Sequence, residues 1–224
     1  MSWRQIYFLL SCCLILMETT QAQVKFNNKY AFRNGFYTSF NDLKKDVPSH
    51  KLKTIPNLRY ETDNEHNVLI LTEASIEVLE KSPIQSLDNI WGICIRDKPY
   101  VKIQPKKEEE EVFFVKLHVL GKLSFLYYRT FQDVEVVMNI YNPYTGEKVA
   151  EKSVMNREPV LVEQIMDFET GRFYAYTSDS FKKQIKDDQE LTETVNNMKA
   201  EELKEKLFKT LLIYNDRNPV YLSK

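Results

Sequence analysis

Apolar and polar residues alternate with a period of two between positions 113 and 127. Phe113, Val115, Leu117, Val119, Leu123, Phe125 and Tyr127 take odd positions, while Lys116, His118, Lys122, Ser124 and Tyr128 take even ones. Successive side chains of a strand point to opposite faces, so the pattern predicts one face in a core and the other largely in water. Gly121 falls on the apolar face, where a bulge or bend is expected; the segment reads as one long curved strand or two strands meeting at a bend. Val134, Val136, Met138 and Ile140 alternate in the same way. Asn142-Pro143-Tyr144-Thr145-Gly146 reads as a turn, followed by a returning strand over 147–152 and a forward one over 160–166. Glu169-Thr170-Gly171 makes a second turn before a return over 172–176. Connections this short predict a meander, because parallel strands need crossovers of about a dozen residues.

Upstream, Ala31–Thr38 and Asn67–Thr72 read as strands and Ile90–Ile103 as a hairpin turning at Arg96-Asp97-Lys98. Ser39, with Asp42 three residues on, predicts a capping box opening a short helix that Val47-Pro48-Ser49 stops. Residues 50–66 look polar and irregular. After Tyr176 the spacing changes: Phe181/Ile185, Leu191/Val195/Met198 and Leu203/Leu207/Leu211 predict amphipathic helices, with N-caps near Asp179 or Ser180, Asp188 and Asn197, and Pro219 ends the last. The fold class expected is α+β. It is a twisted or rolled antiparallel sheet, its closure into a partial barrel left open, with C-terminal helices packed on it.

The first 22 residues carry a different signal. Arg4 precedes a 12-residue apolar run, Ile6 to Met17, and Thr20-Gln21-Ala22 forms a small-x-small site. A spanning helix needs about 20 apolar residues, so the run suits a secretory leader cut before Gln23 better than a membrane span. Leu9-Leu10-Ser11-Cys12 loosely resembles a lipobox, which would anchor the chain at Cys12. The expected organisation is a signal peptide over 1–22 and a single domain over 23–224, mostly antiparallel β to 176 and a helical tail from 177. Cys12 and Cys13 leave with the leader, so Cys94 cannot form an intramolecular disulfide in the exported chain. Cohesion then falls to apolar burial. The chain has 13 Phe, 13 Tyr and 2 Trp, all but Trp3, Tyr7 and Phe8 downstream of the leader.

The stretch Asn34 to Ser49 (NGFYTSFNDLKKDVPS) resembles the opening of uncharacterised exported proteins of the Bacteroidetes group, with a Gly-x-Tyr, an aromatic-led helical turn and Pro-Ser. Trp91-Gly92 at the start of a strand and the closing Tyr214-Asn215-x-x-Asn218-Pro219 are similar as well. Where that pattern has a Gly-containing corner, this chain has Arg96-Asp97-Lys98. The resemblance implies a Gram-negative envelope or secreted location, periplasmic or extracellular, and no activity.

A formal net charge of −1 with interspersed signs offers no basic stripe for nucleic acid. His50, His66 and His118 lack ligands at zinc spacing. Cys94 alternates with bulky apolar residues and reads as a buried thiol rather than a nucleophile. Glu108–Glu111, after Lys106-Lys107, reads as a solvated charge run rather than a calcium site. The Gly35/Tyr37/Phe40/Pro48 group reads as an aromatic strand-to-helix corner. No catalytic, cofactor-binding or metal residue is assigned, and no cofactor. The expected function is a non-catalytic interaction or structural protein of the envelope or extracellular space, its partner an unspecified protein or small ligand and its oligomeric state open. The alternatives are a carrier of small apolar ligands and a carboxylate-dependent hydrolase.

Overall fold

Two-residue alternation decides which layer each strand residue enters, and the layers are built from segments far apart in the chain. The computed structural model describes residues 23–55, 57–65, 67–103, 113–199 and 201–223. In chain order the elements are β1 (Gln23–Phe26), β2 (Gly35–Tyr37), α1 (Phe40–Lys44), β3 (His50–Lys51), β4 (Tyr60–Asp63), β5 (Val68–Leu71) and α2 (Glu73–Glu80). Then come β6 (Gly92–Ile95), β7 (Lys98–Ile103), β8 (Phe113–Lys116), β9 (Leu123–Tyr141), β10 (Lys148–Asp167) and β11 (Phe173–Ala175). The chain closes with α3 (Ser178–Gln184), α4 (Gln189–Asn196), α5 (Leu203–Arg217) and β12 (Val220–Ser223).

Seven strands in the order β3-β2-β6-β7-β8-β5-β4, all antiparallel, curl into a half-barrel. The fold is α+β, as expected. Phe36, Leu69, Leu71, Ile93, Ile95 and Phe114 enter one cluster, filled out by Leu79 of α2 and by Ile55, Ile84 and Ile90. Their strand neighbours Tyr37, Val68, Cys94 and Val115 enter another, on the opposite face. That second cluster is closed by Phe26 and Leu222 of the β1-β12 pair and by Leu126, Tyr128 and Met166 from the roots of β9 and β10. The other face of those roots, Leu123, Phe125 and Ile165, packs with Phe181, Leu191, Val195, Leu207 and Leu211 of the C-terminal helices.

The central expectation holds on one face and fails on the other. Val115, Leu117, Val119 and Leu123 are buried, and Lys116 and Lys122 are only half-buried. The even face is wet only in part, however: His118 is exposed, but Phe114, Ser124, Leu126 and Tyr128 are buried because a second layer covers them. The segment is two strands, β8 and β9, meeting at the bend around Gly121. A Cβ on Gly121 would sit 2.5 Å from the Asn215 side chain, whose amide donates to Leu123 O (2.9 Å) and whose oxygen accepts from Leu123 N (2.9 Å). Helix α5 therefore grips the bend through one asparagine.

Local chemistry sets the other boundaries. Ser39 and Asp42 form the expected capping box. The β6–β7 corner closes in two residues, Arg96 (φ 51°) and Asp97 (φ 64°), and the left-handed pair supplies the twist a tight hairpin needs without glycine. The Asn34 side chain braces it, accepting from Asp97 N (2.9 Å) and donating to the Asp97 carboxylate (3.1 Å). Both Thr-Gly turns have one architecture. Gly146 (φ 71°) and Gly171 (φ 72°) donate to Asn142 O and Asp167 O, while the Asn142 and Asp167 side chains accept from the amides of Tyr144 and Glu169.

Several expectations are corrected. Ala31–Thr38 contracts to the three-residue β2, and 50–66 contributes β3 and β4. Helix α2 carried no expectation. The returning strand at 147–152 and the forward one at 160–166 are a single returning strand, β10: Pro159 pairs with Phe131 where the opposite edge of β10 is free, so its missing N–H interrupts no ladder. Thr177, not Asp179 or Ser180, caps α3; Asp188 caps α4 as expected; α5 starts after Glu202 rather than Asn197, with no side-chain cap. The tail is not wholly helical, because after Pro219 the chain returns as β12 against β1. The leader, Cys12, His66 and Glu108–Glu111 lie outside the described residues.

Candidate functional site

The strands β9 and β10 outrun the body they spring from. Each holds about twenty residues, so at about 3.4 Å per residue the hairpin is on the order of 65 Å long. Its root is buried on both faces, but no residue from 129 to 161 joins any of the three hydrophobic clusters. Beyond the Arg129–Glu65 ion pair (2.9 Å) the ribbon projects as an arm.

Directly paired residues share a face, so the register assigns the arm's surfaces. One face carries Val134, Val136, Met138 and Ile140 from β9 and Ala150, Val154 and Val160 from β10. Val136 is 37 % exposed, Met138 55 % and Ile140 44 %. The other face mixes Phe131, Val137, Met155 and Leu161 with charge that is largely answered internally: the Arg157 guanidinium lies 5.0 Å over the Phe131 ring, and Lys148 pairs with Glu151. At the tip Tyr144 is 95 % exposed. An isolated two-stranded ribbon is marginal in water, and contiguous apolar surface on it is the usual mark of a contact site. The alternation over 134–140, with Val134, Val136, Met138 and Ile140 on one side, is borne out by the register.

The sequence-derived candidates for chemistry are scattered. His50 lies in β3, and His118 lies at the β8–β9 bend, edge-on to Tyr127 (5.3 Å). His118 shares a small open cleft of about 170 Å³ with Asp63, Asn67, Tyr100 and Lys116. Partial desolvation there, and then the Lys116 ammonium, hold its imidazole below the ordinary value. A neighbouring open cleft of about 440 Å³ is lined by Tyr60, Thr62, Asn64, Arg96, Lys98 and Tyr100. Neither cleft is apolar or acidic in character. Among the described residues no three His, Cys, Asp or Glu side chains converge on a metal position. Cys94 is fully buried, its Sγ 3.7 Å from Phe32 O, and burial pushes the thiol far above its usual value, so it is no nucleophile.

The Gly35/Tyr37/Phe40/Pro48 group does meet in space, as a corner. A Cβ on Gly35 would lie 2.6 Å from both His50 O and Pro48 Cβ. The Phe40 ring covers Gly171 and packs against Trp91 (5.4 Å) and Phe168 (5.7 Å). The residue the sequence did not single out is Asp46, 2 % exposed in a left-handed conformation (φ 51°). Its carboxylate accepts from Tyr30 Oη (3.0 Å), Tyr37 Oη (3.0 Å) and Arg33 N (2.8 Å). Burial, reinforced by this carboxylate, pushes both phenols far above their usual value. Three donors and near-complete burial make Asp46 a staple rather than a base.

No protein family, curated protein or solved structure matches the chain. The geometry therefore stands alone, and within it the arm is the feature the body's own packing leaves unexplained. The closing Tyr214-Asn215-x-x-Asn218-Pro219 is used structurally. Tyr214 donates to Asp187 (2.9 Å), Asn215 grips the bend, and Asn218 donates to Tyr214 O (3.1 Å) at the end of α5.

Proposed function

We propose that the chain is a non-catalytic interaction protein of the Gram-negative envelope or the extracellular space, and that it binds through its β-arm. The observation that carries this reading is the apolar face of residues 134–140 and 150–154, held in water on a ribbon that joins none of the hydrophobic clusters among the described residues. Export is supported by the leader-like residues 1–22 and by the resemblance of the 34–49 segment to exported proteins. The carrier and hydrolase readings have no comparable support: the half-barrel face beside α2 is filled by Phe36, Leu69, Leu79, Ile93 and Phe114, and the clefts gather no pair of carboxylates.

A photo-crosslinking residue placed at Val136 or Met138 in the exporting cell tests the reading, with Glu73 on α2 as the control site. Discrete adducts from the arm positions and none from Glu73 are expected. Absence of adducts from both arm positions would overturn it.

A further inference from the structure

We propose that the mouth of the half-barrel binds a small organic anion, with a ring that lies on tyrosines and a carboxylate, sulfate or phosphate group that meets Arg96, Lys98 and Lys116. The site is separate from the exposed faces of the arm. Strands β4 and β7 are kept apart in the sheet by β5 and β8. Even so, Tyr60 of β4 lines one cleft with Ile95, Arg96, Lys98 and Tyr100 of the β6–β7 hairpin. Tyr60 and Tyr100 also pack against the same apolar cluster, the one that Leu79 of α2 fills out. Residues three strands apart can share a cleft only on the concave side of a curled sheet. The cleft is therefore the open end of the half-barrel's interior, and the apolar cluster fills the rest. The second cleft shares Thr62, Asn64 and Tyr100 with the first and adds Lys116, His118 and Tyr127.

The lining is cationic in a chain whose net charge is −1. Arg96, Lys98 and Lys116 stand against one carboxylate, Asp63. Register fixes their arrangement. Lys116 pairs directly with Tyr100, about 5 Å away between Cα atoms, and Lys98 lies two residues before Tyr100, about 7 Å along the same face. Among the described residues none of the three cationic side chains makes an ion pair or a hydrogen bond, and the nearby Asp97 and Glu65 are engaged by Asn34 and Arg129. Lys116 is half-buried, and the lower local dielectric strengthens its pull on an anion. Tyr60, Tyr100 and Tyr127 are half-buried as well, each packed on a core cluster, with hydroxyls that bond nothing among the described residues. Rings held in this way offer flat contact area and a polar tip at little entropic cost. Val68 and Ile95 are the only aliphatic side chains of the lining, too few for a lipid chain. Clefts of about 170 and about 440 Å³ suit a small ligand rather than a nucleic-acid track, which needs a basic stripe.

Isothermal titration calorimetry of the purified chain at low salt tests the proposal with two probes: digalacturonate, a sugar ring bearing carboxylates, and phenyl phosphate, an aromatic ring bearing a phosphate. At least one should bind with a Kd below about 1 mM, and which one binds identifies the ring. Galactose supplies a ring without the charge and inorganic phosphate the charge without a ring, and both should bind at least about tenfold more weakly. The double variant Lys98→Gln/Lys116→Gln should weaken the bound probe about tenfold, whereas Lys183→Gln, on α3 and away from the clefts, should change nothing. Raising the salt to about 0.5 M should weaken binding too, because the cations are open to solvent. Near-UV circular dichroism checks that the variants are folded. Failure of both probes to bind would overturn the proposal. So would inorganic phosphate binding as tightly as phenyl phosphate, which would mean an adventitious ion only, or a probe that binds the double variant as well as it binds wild type.

Discussion

Removing the Asp46 carboxylate gives the sharpest test of how the amino-terminal corner is held. The side chain is 2 % exposed and accepts three hydrogen bonds, from Tyr30, Tyr37 and the Arg33 amide. Bonds to a charged acceptor are worth about 1.5–3 kcal/mol each, and a buried donor stripped of its acceptor costs about 1–3 kcal/mol. Tyr37 retains Arg33 O at 2.6 Å, so its loss is partial, while the Arg33 amide keeps no replacement acceptor from residue 46. A left-handed backbone at φ 51° adds about 1 kcal/mol against alanine, which tolerates that conformation less well than aspartate or asparagine. Allowing for non-additivity, Asp46→Ala should cost about 4–5 kcal/mol. Asp46→Asn keeps the shape, the tolerance of left-handed backbone and one oxygen for Tyr37 and the Arg33 amide, but loses the charge assistance and turns the acceptor of Tyr30 into a donor, so that the Tyr30 hydroxyl must accept instead; the cost is about 1–2 kcal/mol. Urea unfolding followed by Trp91 fluorescence measures both. With a slope of about 2–3 kcal/mol per molar for a chain of this size, the alanine midpoint should fall by about 1.5–2 M and the asparagine midpoint by about 0.5 M. Equal effects, or an alanine cost under about 1 kcal/mol, would refute the staple, because a solvent-relieved carboxylate behaves that way.

Gly121→Ala should destabilise by about 2–3 kcal/mol in the same assay, since its Cβ would meet an Asn215 side chain pinned by two hydrogen bonds; adding Asn215→Ala should cost less than the two changes summed. Gly35→Ala should cost a similar amount, because the atoms 2.6 Å away belong to the His50 backbone and the Pro48 ring and cannot swing aside. Burial works against ionisation of Asp187, but hydrogen bonds from Lys122 and Tyr214 outweigh it and hold its carboxyl below the usual value of 3.8. Its contribution is therefore present above pH 3.8 and is lost as pH falls through the lowered folded-state value. Asp187→Asn should lower the urea midpoint at pH 7 yet lose less than wild type between pH 5 and about pH 2, and identical acid profiles would count against the assignment. Replacing residues 132–158 by a short turn should leave the body's cooperative unfolding intact, since no arm residue joins a core cluster; a body that no longer folds would show the arm to be structural.

Local signals survived best. Some side chains that satisfy a nearby backbone group were legible in the sequence, Ser39 with Asp42, Asp188 before α4 and Asn142 in the first Thr-Gly turn, whereas Thr177 before α3 and Asp167 in the second turn were not. Hairpins followed because their turns are local. What failed depended on distant segments. Val220–Ser223 becomes a strand only because Gln23–Phe26 lies alongside to accept its ladder, and a four-residue run after a proline carries no sign of that. The polar stretch 153–159 stays in β10 because β9 offers a partner for every residue, which outweighs its weak strand preference. Asp46 was missed because its donors come from positions 30, 33 and 37, which only the folded corner assembles.

The largest misreading concerns burial, and it has one cause. Alternation reports that a segment is a strand with two unlike faces; it does not report what covers either face. Along Phe113 to Tyr127 the covering layers number two, so Phe114, Ser124 and Leu126 of the polar-looking face are buried as well, while His118 stays exposed. Along Val134 to Ile140 the same period is equally clean, and among the described residues no hydrophobic cluster reaches it. The sequence thus contains more strand with an apolar face than the body can cover, and the excess is confined to one ribbon. A chain of 224 residues that seals three clusters elsewhere, down to complete burial of Phe36, Tyr37, Leu126 and Tyr214, does not lack the means to bury four more side chains. Apolar residues stay exposed on both faces of that ribbon, Val136, Met138 and Ile140 on one and Phe131, Val137 and Met155 on the other, which marks the arm rather than the body as the candidate contact surface.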